Sequence, residues 1–318
     1  MVDQFSPTDT PDVALARQCA SEPADDSAVG IGVRAPAVSV ILPVHNGEAF
    51  LATALESILS QSFADFELIA VDDCSDDSSP EILAAFAARD PRMTAVTLET
   101  NAKLPGALNA GFARSQADWL TWTSDDNILH PEMLATLLAA RDAHPQADIL
   151  YAGYQVIDDA GEAVGQVEAL AGDQLLERNV VGCCFLYRRK VHDALDGYDE
   201  SLFGVEDYDF WLRAARAGFV LQPVGKQLYE YRRHERSLTD RRWYEIRDGL
   251  ARVLEREIAL SPDRRLRARG WLALFTGNPY TPNARFFLSA LREHPPTVIA
   301  RWRDVWLWAW RAAAWRLK

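Results

Sequence analysis

Cysteine is scarce. The 318 residues hold four, Cys19, Cys74, Cys183 and Cys184, with no C-x-x-C pair and two of them adjacent. That argues against a disulfide framework and against a thiolate zinc site, and it suits a reducing cytosol. Long apolar runs are missing too. No stretch reaches the roughly 18 consecutive apolar residues a spanning helix needs, and the N-terminus lacks a basic-then-apolar signal pattern. A cytoplasmic protein is expected. Glycine-rich phosphate loops are absent: no G-x-G-x-x-G follows the first strand, and no G-x-x-x-x-G-K-[ST] occurs anywhere, which argues against a dinucleotide dehydrogenase and a P-loop ATPase. Positive charge is in deficit, with 33 basic against 46 acidic side chains and a net charge of −13, so no nucleic-acid partner is expected. There is no internal repeat and no low-complexity tract.

What is present reads as an α/β protein with an ordinary 48% hydrophobic content. Residues 1–36 are acidic and aperiodic and predict a disordered leader, with a short helix over Asp12 to Cys19 as its one candidate element. The run Val38 to Val44 predicts a strand buried on both faces, ended by Pro43. Apolar residues at helical spacing follow from Ala49 to Ser60, then a second strand over Glu67 to Val71. A helix begins at Pro80, a strand spans Met93 to Leu98, a helix spans Pro105 to Ser115, and a strand runs from Ala117 to Thr123. This alternation predicts a parallel sheet with right-handed crossovers. Beyond Asp148 the rhythm becomes that of a mixed or antiparallel sheet. Strands are predicted over Ile149 to Ile157, Ala163 to Val167 and Val180 to Tyr187, with Asp158 to Gly161 as a hairpin turn. A helix over Glu206 to Ala217 is capped by Gly218, and two short strands follow at Phe219 to Leu221 and Gln227 to Tyr231. Past Asp240 the chain turns helical and rich in arginine.

Acidic side chains cluster where strands end. Trp122-Thr123-Ser124-Asp125-Asp126-Asn127 closes one apolar strand, and Val71-Asp72-Asp73-Cys74-Ser75 closes another. The carboxyl edge of an open α/β sheet is where ligands bind, and adjacent carboxylates there offer hard oxygen ligands for Mg²⁺ or Mn²⁺ on a diphosphate. The same residues would also serve as polar turns capping the next helix. Glu206 and Asp207 open an amphipathic helix whose dipole favours their ionised form, as a general base requires; the plainer reading is helix stabilisation alone.

Six segments occur in the order found in family 2 glycosyltransferases of the GT-A fold: VSVILPVHN (38–46), VDDCS (71–75), NAKLPGALNAG (101–111), TSDDN (123–127), GVEDYDFWLR (204–213) and YRRHERSLT (231–239). The chain resembles that family over roughly two thirds of its length. The resemblance implies a mixed sheet flanked by helices, and an inverting hexosyltransferase that moves a sugar from a nucleotide sugar, with uridine diphosphate as the expected leaving group. Pro43, His45, Asn46, Ser124 and Asp125 would line the donor, Asp73 would bind the base, and the loop from Asn101 to Asn109, with Lys103, would close over the nucleotide sugar. Asp125 is the last acid of the D-x-D metal motif, whose first acid is replaced here by Thr123. His234 is the candidate second ligand for Mn²⁺ or Mg²⁺, with Arg232, Arg233 and Arg236 beside the diphosphate. Asp207 is implied as the base, with Glu206 and the Trp211 ring toward acceptor or sugar.

Implied domains are the leader (1–36), a transferase domain (37–239) with a nucleotide-binding half (37–127) and an acceptor-binding half (128–239), and a helical extension (240–318). The last 23 residues carry Trp302, Trp306, Trp308, Trp310 and Trp315 among five basic side chains and one acid. Such a helix suits a lipid headgroup region, so peripheral contact with the inner face of the cytoplasmic membrane is expected; docking on protein is the competing reading. The expected acceptor is a cell-surface polysaccharide or glycolipid. The alternative to an enzyme is a nucleotide-sugar-binding protein whose catalysis has lapsed with the first D-x-D acid.

Overall fold

A computed structural model describes residues 34–234, 243–277 and 283–316. The predicted leader, apart from residues 34–36, lies outside the described residues, as does Arg236.

The described strands are β1 (Val38–Val44), β2 (Phe66–Asp72), β3 (Met93–Thr97), β4 (Trp119–Trp122), β5 (Ile128–Leu129), β6 (Ile149–Ile157), β7 (Ala163–Val167), β8 (Phe185–Arg188) and β9 (Leu221–Arg232). They form one mixed sheet in the order β3-β2-β1-β4-β8-β6-β9-β5, with β7 paired to β6. β1 to β4 are parallel, whereas β8 runs antiparallel to both β4 and β6. The helices between them are α1 (Leu51–Leu59), α2 (Ser79–Ala87), α3 (Lys103–Phe112), α4 (Met133–Ala143), α5 (Arg189–Leu195) and α6 (Glu206–Arg216). Five more follow: α7 (Trp243–Leu260), α8 (Arg264–Thr276), α9 (Ala284–Glu293), α10 (Pro295–Ala300) and α11 (Trp302–Arg316).

The two-residue period of β1 explains the layers. Val38, Val40, Leu42 and Val44 point into one core with Leu51, Leu55 and Ile58 of α1, Leu83 of α2 and Leu134 of α4. Ile41 points into the opposite core, with Ala107 and Leu108 of α3, Phe210 and Trp211 of α6, and Leu254 and Ile258 of α7. Each such aliphatic side chain contributes about 1.5–3 kcal/mol by leaving water, and a one-residue slip would forfeit both faces together.

Several elements differ from the sequence-based expectation. Pro43 does not end β1, which continues to Val44; β4 stops pairing at Ile41, so the missing N–H of Pro43 interrupts no ladder. The two short strands expected around Pro223 and Gly225 are one strand, β9, because register shifts opposite Ala152 and Gly153 absorb the irregularity. The strand expected from Val180 starts only at Phe185: Asn179 bonds the amides of Val181 and Gly182, and Gly182 takes a φ of 63°, making 179–184 a turn. The expected loop from Asn101 to Asn109 is mostly helix α3. Helix α5 and the short β5 were not foreseen.

Candidate active site

The parallel strands end along one edge, and the loops there are held in unusual backbone states. Asn46, Cys74 and Lys103 all have positive φ, at 58°, 62° and 61°. Such conformations persist where surrounding bonds over-determine them. The amide of Asn46 donates to Ser75 Oγ at 3.0 Å, that of Gly47 to Ser79 Oγ at 3.0 Å, and that of Glu48 to Asp77 Oδ2 at 3.0 Å. In return the Asp76 amide donates to Asn46 Oδ1 at 2.9 Å. The β1 and β2 loops therefore form one zipped unit.

His45 and Asn101 converge on the Asp73 carbonyl, at 2.9 and 3.3 Å. The Asp73 carboxylate is buried and accepts from the Ala102 amide at 2.6 Å, which places α3 beside the same loop. Lys103 is exposed at the first turn of α3, while Pro43 is buried within β1. Asn109 is not part of a closing loop. It sits inside α3 and is spent on the turn after α5, donating to Tyr198 O at 2.9 Å and accepting from the Tyr198 amide at 3.0 Å.

At the end of β4, Thr123 and the acids part company. Thr123 is 2% exposed and its hydroxyl shares a 2.7 Å bond with the Tyr229 hydroxyl, so this position is a structural bond to β9. Ser124 is half-buried in the turn that follows. Asp125 lies on Gly47: a Cβ there would fall 2.2 Å from Asp125 Oδ2. Burial, then the neighbouring charge of Asp126, pushes the Asp125 carboxyl up to about 7. Asp126 is raised mainly by burial, against the pull of His234, whose Nε2 lies 3.0 Å from Asp126 Oδ2. His234 thus partners Asp126 rather than Asp125.

The other oxygen of this acid, Asp126 Oδ1, is buried with no hydrogen-bond partner. Two adjacent desolvated carboxylates and an orphaned oxygen make a site short of positive charge, and these residues fit a divalent cation. Among the described residues no group of three or more His, Cys, Asp or Glu side chains is already gathered for a metal.

Arg232 does not extend toward a diphosphate. Its Nε donates to Asp126 O at 3.0 Å and its Nη1 to Asp158 O and Asp159 O at 2.9 and 3.1 Å, and the guanidinium stacks over Phe50 at 4.6 Å. It clamps the β4 turn to the β6–β7 hairpin by donating to three backbone carbonyls, one in the turn and two in the hairpin. The Arg232 amide donates to Asn127 Oδ1 at 2.8 Å, closing the same clamp. Arg233 is exposed beside it.

Across the site, Asp207 opens α6. Its Oδ2 accepts from Asn179 Nδ2 at 3.0 Å and its Oδ1 from the Tyr208 amide at 2.6 Å. Burial raises both Asp207 and its neighbour Glu206, and the Asp207 charge raises Glu206 further. Glu206 is 3% exposed and accepts from the Gly204 amide at 2.5 Å, so it shapes the turn before α6 rather than facing an acceptor. Trp211 is 0% exposed, wedged against Phe185 and Tyr187 at 4.8 and 5.6 Å between ring centroids, and Phe210 is equally buried. These rings are core, and no sugar reaches them. The apolar face of α6 is what the sequence had shown, and it is buried in the core shared with the sheet and α7.

Two residues escaped the sequence reading. Asn179 carried no signal beyond being polar before an apolar run. Cys183 is near enough to Asp207 and Asp126 that the charge of each raises its thiol above the ordinary value, after burial. That brings the two acidic ends into one electrostatic neighbourhood.

In the C-terminal part, α11 has two faces. Trp308 packs on Phe275 of α8 at 4.2 Å, with Ala312 buried beside it in sequence spacing. Trp302, Trp306 and Trp310 stand 58%, 59% and 60% exposed. The side chain of Trp315 lies outside the described residues. None of the described helices is long and apolar enough to cross a membrane.

Comparison with known proteins bears on this geometry. The O-antigen biosynthesis protein RfbC of Myxococcus xanthus is 30% identical over 230 residues, 70% of this chain but 18% of RfbC. The chain spans 22% and 28% of the length of two further relatives. Residues 1–349 of TarS from S. aureus, in complex with UDP-GlcNAc, superpose with a TM-score of 0.65 at 17% identity, covering 82% of this chain and 80% of that one. The mannosyltransferase PcManGT of Pyrobaculum calidifontis, in complex with GDP-Man and Mn²⁺, gives a TM-score of 0.60 at 18% identity, covering 89% and 81%. At these identities the likeness is one of fold, and that fold is the α/β GT-A arrangement with a helical C-terminal part. Residues 39–196 match the family Glycosyl transferase family 2, and the chain belongs to that family.

Proposed function

We propose that this chain is an inverting glycosyltransferase that moves a sugar from a nucleoside-diphosphate sugar, expected to be a uridine diphosphate sugar, to a hydroxyl of a cell-surface polysaccharide or glycolipid. What supports the reading is that Asp207, oriented by Asn179, and Asp126 both lie close enough to Cys183 for their charges to raise its thiol. The zipped loops after β1 and β2 supply the nucleotide-binding half, with His45, Asn46 and Asp73 toward the donor; residues 128–239 supply the acceptor half. The names of RfbC and of the TarS complex support the acceptor and donor classes.

In the reaction, the Asp207 carboxylate takes the proton of the acceptor hydroxyl. The acceptor oxygen bonds the anomeric carbon as that carbon's bond to the diphosphate oxygen breaks, and the configuration inverts. A carboxylate whose proton affinity is raised by burial is a stronger base than an exposed one. Asp125 and Asp126, with His234 behind Asp126, would hold Mn²⁺ or Mg²⁺. Such an ion, when bound, neutralises charge on the leaving diphosphate. The α11 face of Trp302, Trp306 and Trp310, flanked by Arg303 and Arg311, is read as contact with an anionic lipid surface, because it is basic and aromatic in a chain of net charge −13.

The test is nucleoside diphosphate release with Mn²⁺ and a panel of nucleotide sugars. One sugar nucleotide is expected to be turned over, with Asp207→Asn lowering kcat about 10²–10⁴-fold, the range of general-base catalysis. An Asp207→Asn enzyme as fast as the wild type would reject the assignment.

A further inference from the structure

The segment carrying Asn179 has little structure of its own. Gly172–Gln174 form a single 3-10 turn, and no strand follows until β8. Yet Asn179 must hold still, since its Nδ2 donates to Asp207 while its Oδ1 accepts from Val181 and Gly182, both at 3.2 Å. The restraint comes from the C-terminal helices. Glu177, with a side chain 5% exposed, accepts from Arg269 Nε of α8 at 2.5 Å and is gripped by both Nη atoms of Arg301, the residue between α10 and α11. Arg269 also reaches Asp173 at 3.1 Å, and the Tyr208 hydroxyl donates to Leu175 O at 2.5 Å. On the far side of the base, Asp209 is 0% exposed and paired with Arg213 at 2.6 Å and with Arg256 of α7.

Arg256, Arg269 and Arg301 all lie beyond residues 39–196, so the layer that steadies the base is outside the matched family region. Glu177 and Asp209, with side chains 5% and 0% exposed, are the buried partners of these arginines, and a buried ion pair is weak evidence for stability but can fix a geometry. Here the geometry they fix ends at a carboxylate oxygen.

We infer that Glu177, clamped between Arg269 and Arg301, is a positioning residue that lets the C-terminal helical layer set Asn179 and, through it, Asp207. The inference rests on Asp207 being the base. Loss of the clamp frees Asn179, and a displacement of about 1 Å at the reacting group lowers the rate on the order of 10²-fold. Donor binding, on the opposite loops, is untouched.

The experiment uses the full chain with Glu177→Gln, Arg301→Ala, the double variant and Arg301→Lys, measuring kcat, donor KM and the pH profile of kcat, with circular dichroism to check folding. Expected are a fall in kcat of at least tenfold for Glu177→Gln and Arg301→Ala, a donor KM within twofold, and a displaced acid limb of the profile. The double variant should be no worse than either single, because the residues act as one unit. Arg301→Lys, which keeps the charge but not the two-point grip, should fall between Arg301→Ala and the wild type. If Glu177→Gln does not fold, the contrast between Arg301→Ala and Arg301→Lys carries the same test, Arg301 being more exposed. A kcat within threefold of wild type with an unmoved profile, or a loss confined to donor KM, overturns the clamp. An active Asp207→Asn enzyme would instead overturn the base reading, and an inactive one beside an unaffected Glu177→Gln would overturn the clamp alone.

Discussion

Replacing Gly47 with alanine isolates the contact on which the acidic end depends. Gly47 is not among the residues with positive φ, so its backbone accepts a Cβ without torsional strain. The added methyl would lie 2.2 Å from Asp125 Oδ2 and 2.8 Å from its Cγ, against an ordinary closest approach near 3.2 Å, so something must retreat by about 1 Å. The backbone is the harder part to move: the Gly47 carbonyl accepts from the amides of Phe50 and Leu51 at the start of α1, and its own amide is bound to Ser79. The carboxylate therefore moves. A misplacement of about 1 Å in a group that positions the donor is expected to lower kcat/KM about 10²-fold. Melting should change little, since a compatible Gly→Ala gains about 0.4–1 kcal/mol through the unfolded chain, against the cost of re-seating one half-buried carboxylate. The assay is the initial rate of nucleoside diphosphate release across a Mn²⁺ titration, repeated in an Asp125→Ala background, where Gly47→Ala should cost nothing more. A Gly47→Ala rate within threefold of wild type at the same Mn²⁺ requirement would refute the reasoning.

Thr123→Val should leave metal dependence within twofold and lower stability by about 1–3 kcal/mol in urea, because it strands the buried Tyr229 hydroxyl; a changed Mn²⁺ requirement would return Thr123 to the metal site. Asp125 holds its proton up to about 7, above its unfolded value of 3.8, so its ionisation opposes folding. That opposition is absent below pH 3.8, grows between the two values and is complete above about 7. The melting temperature of Asp125→Asn minus that of the metal-free wild type should accordingly rise from pH 5 to pH 8, and added Mn²⁺ should stabilise the wild type more at pH 8. A flat difference would discredit the desolvated state of this acid. Finally, replacing Trp302, Trp306 and Trp310 together with alanine should reduce pelleting with phosphatidylglycerol vesicles at least tenfold while sparing activity on a soluble acceptor; equal pelleting would reject lipid contact.

Much of the architecture follows from neighbours along the chain. The period-two and helical repeats from Val38 to Trp122 suffice for the parallel half, and a strand that ends in acids puts carboxylates at the ligand-binding edge whatever the rest of the fold does. Gly218, with φ of 88°, closes α6 where a C-cap glycine was expected. The partners of those acids were a different matter. A two-residue repeat would put Thr123 and Asp125 on the same face, but β4 ends at Trp122 and the turn sends one to Tyr229 and the other onto Gly47. Trp211 reads as a ring toward acceptor or sugar until it is seen buried in the core. Asp126 meets His234 across 108 residues, and Glu177 meets Arg269 and Arg301 across 92 and 124. Chain composition sets which side chains are available and which face of an element is apolar. Which charges end up within 3 Å of each other is decided by the closing of long loops, and that depends on the packing of the whole sheet and its helical layers.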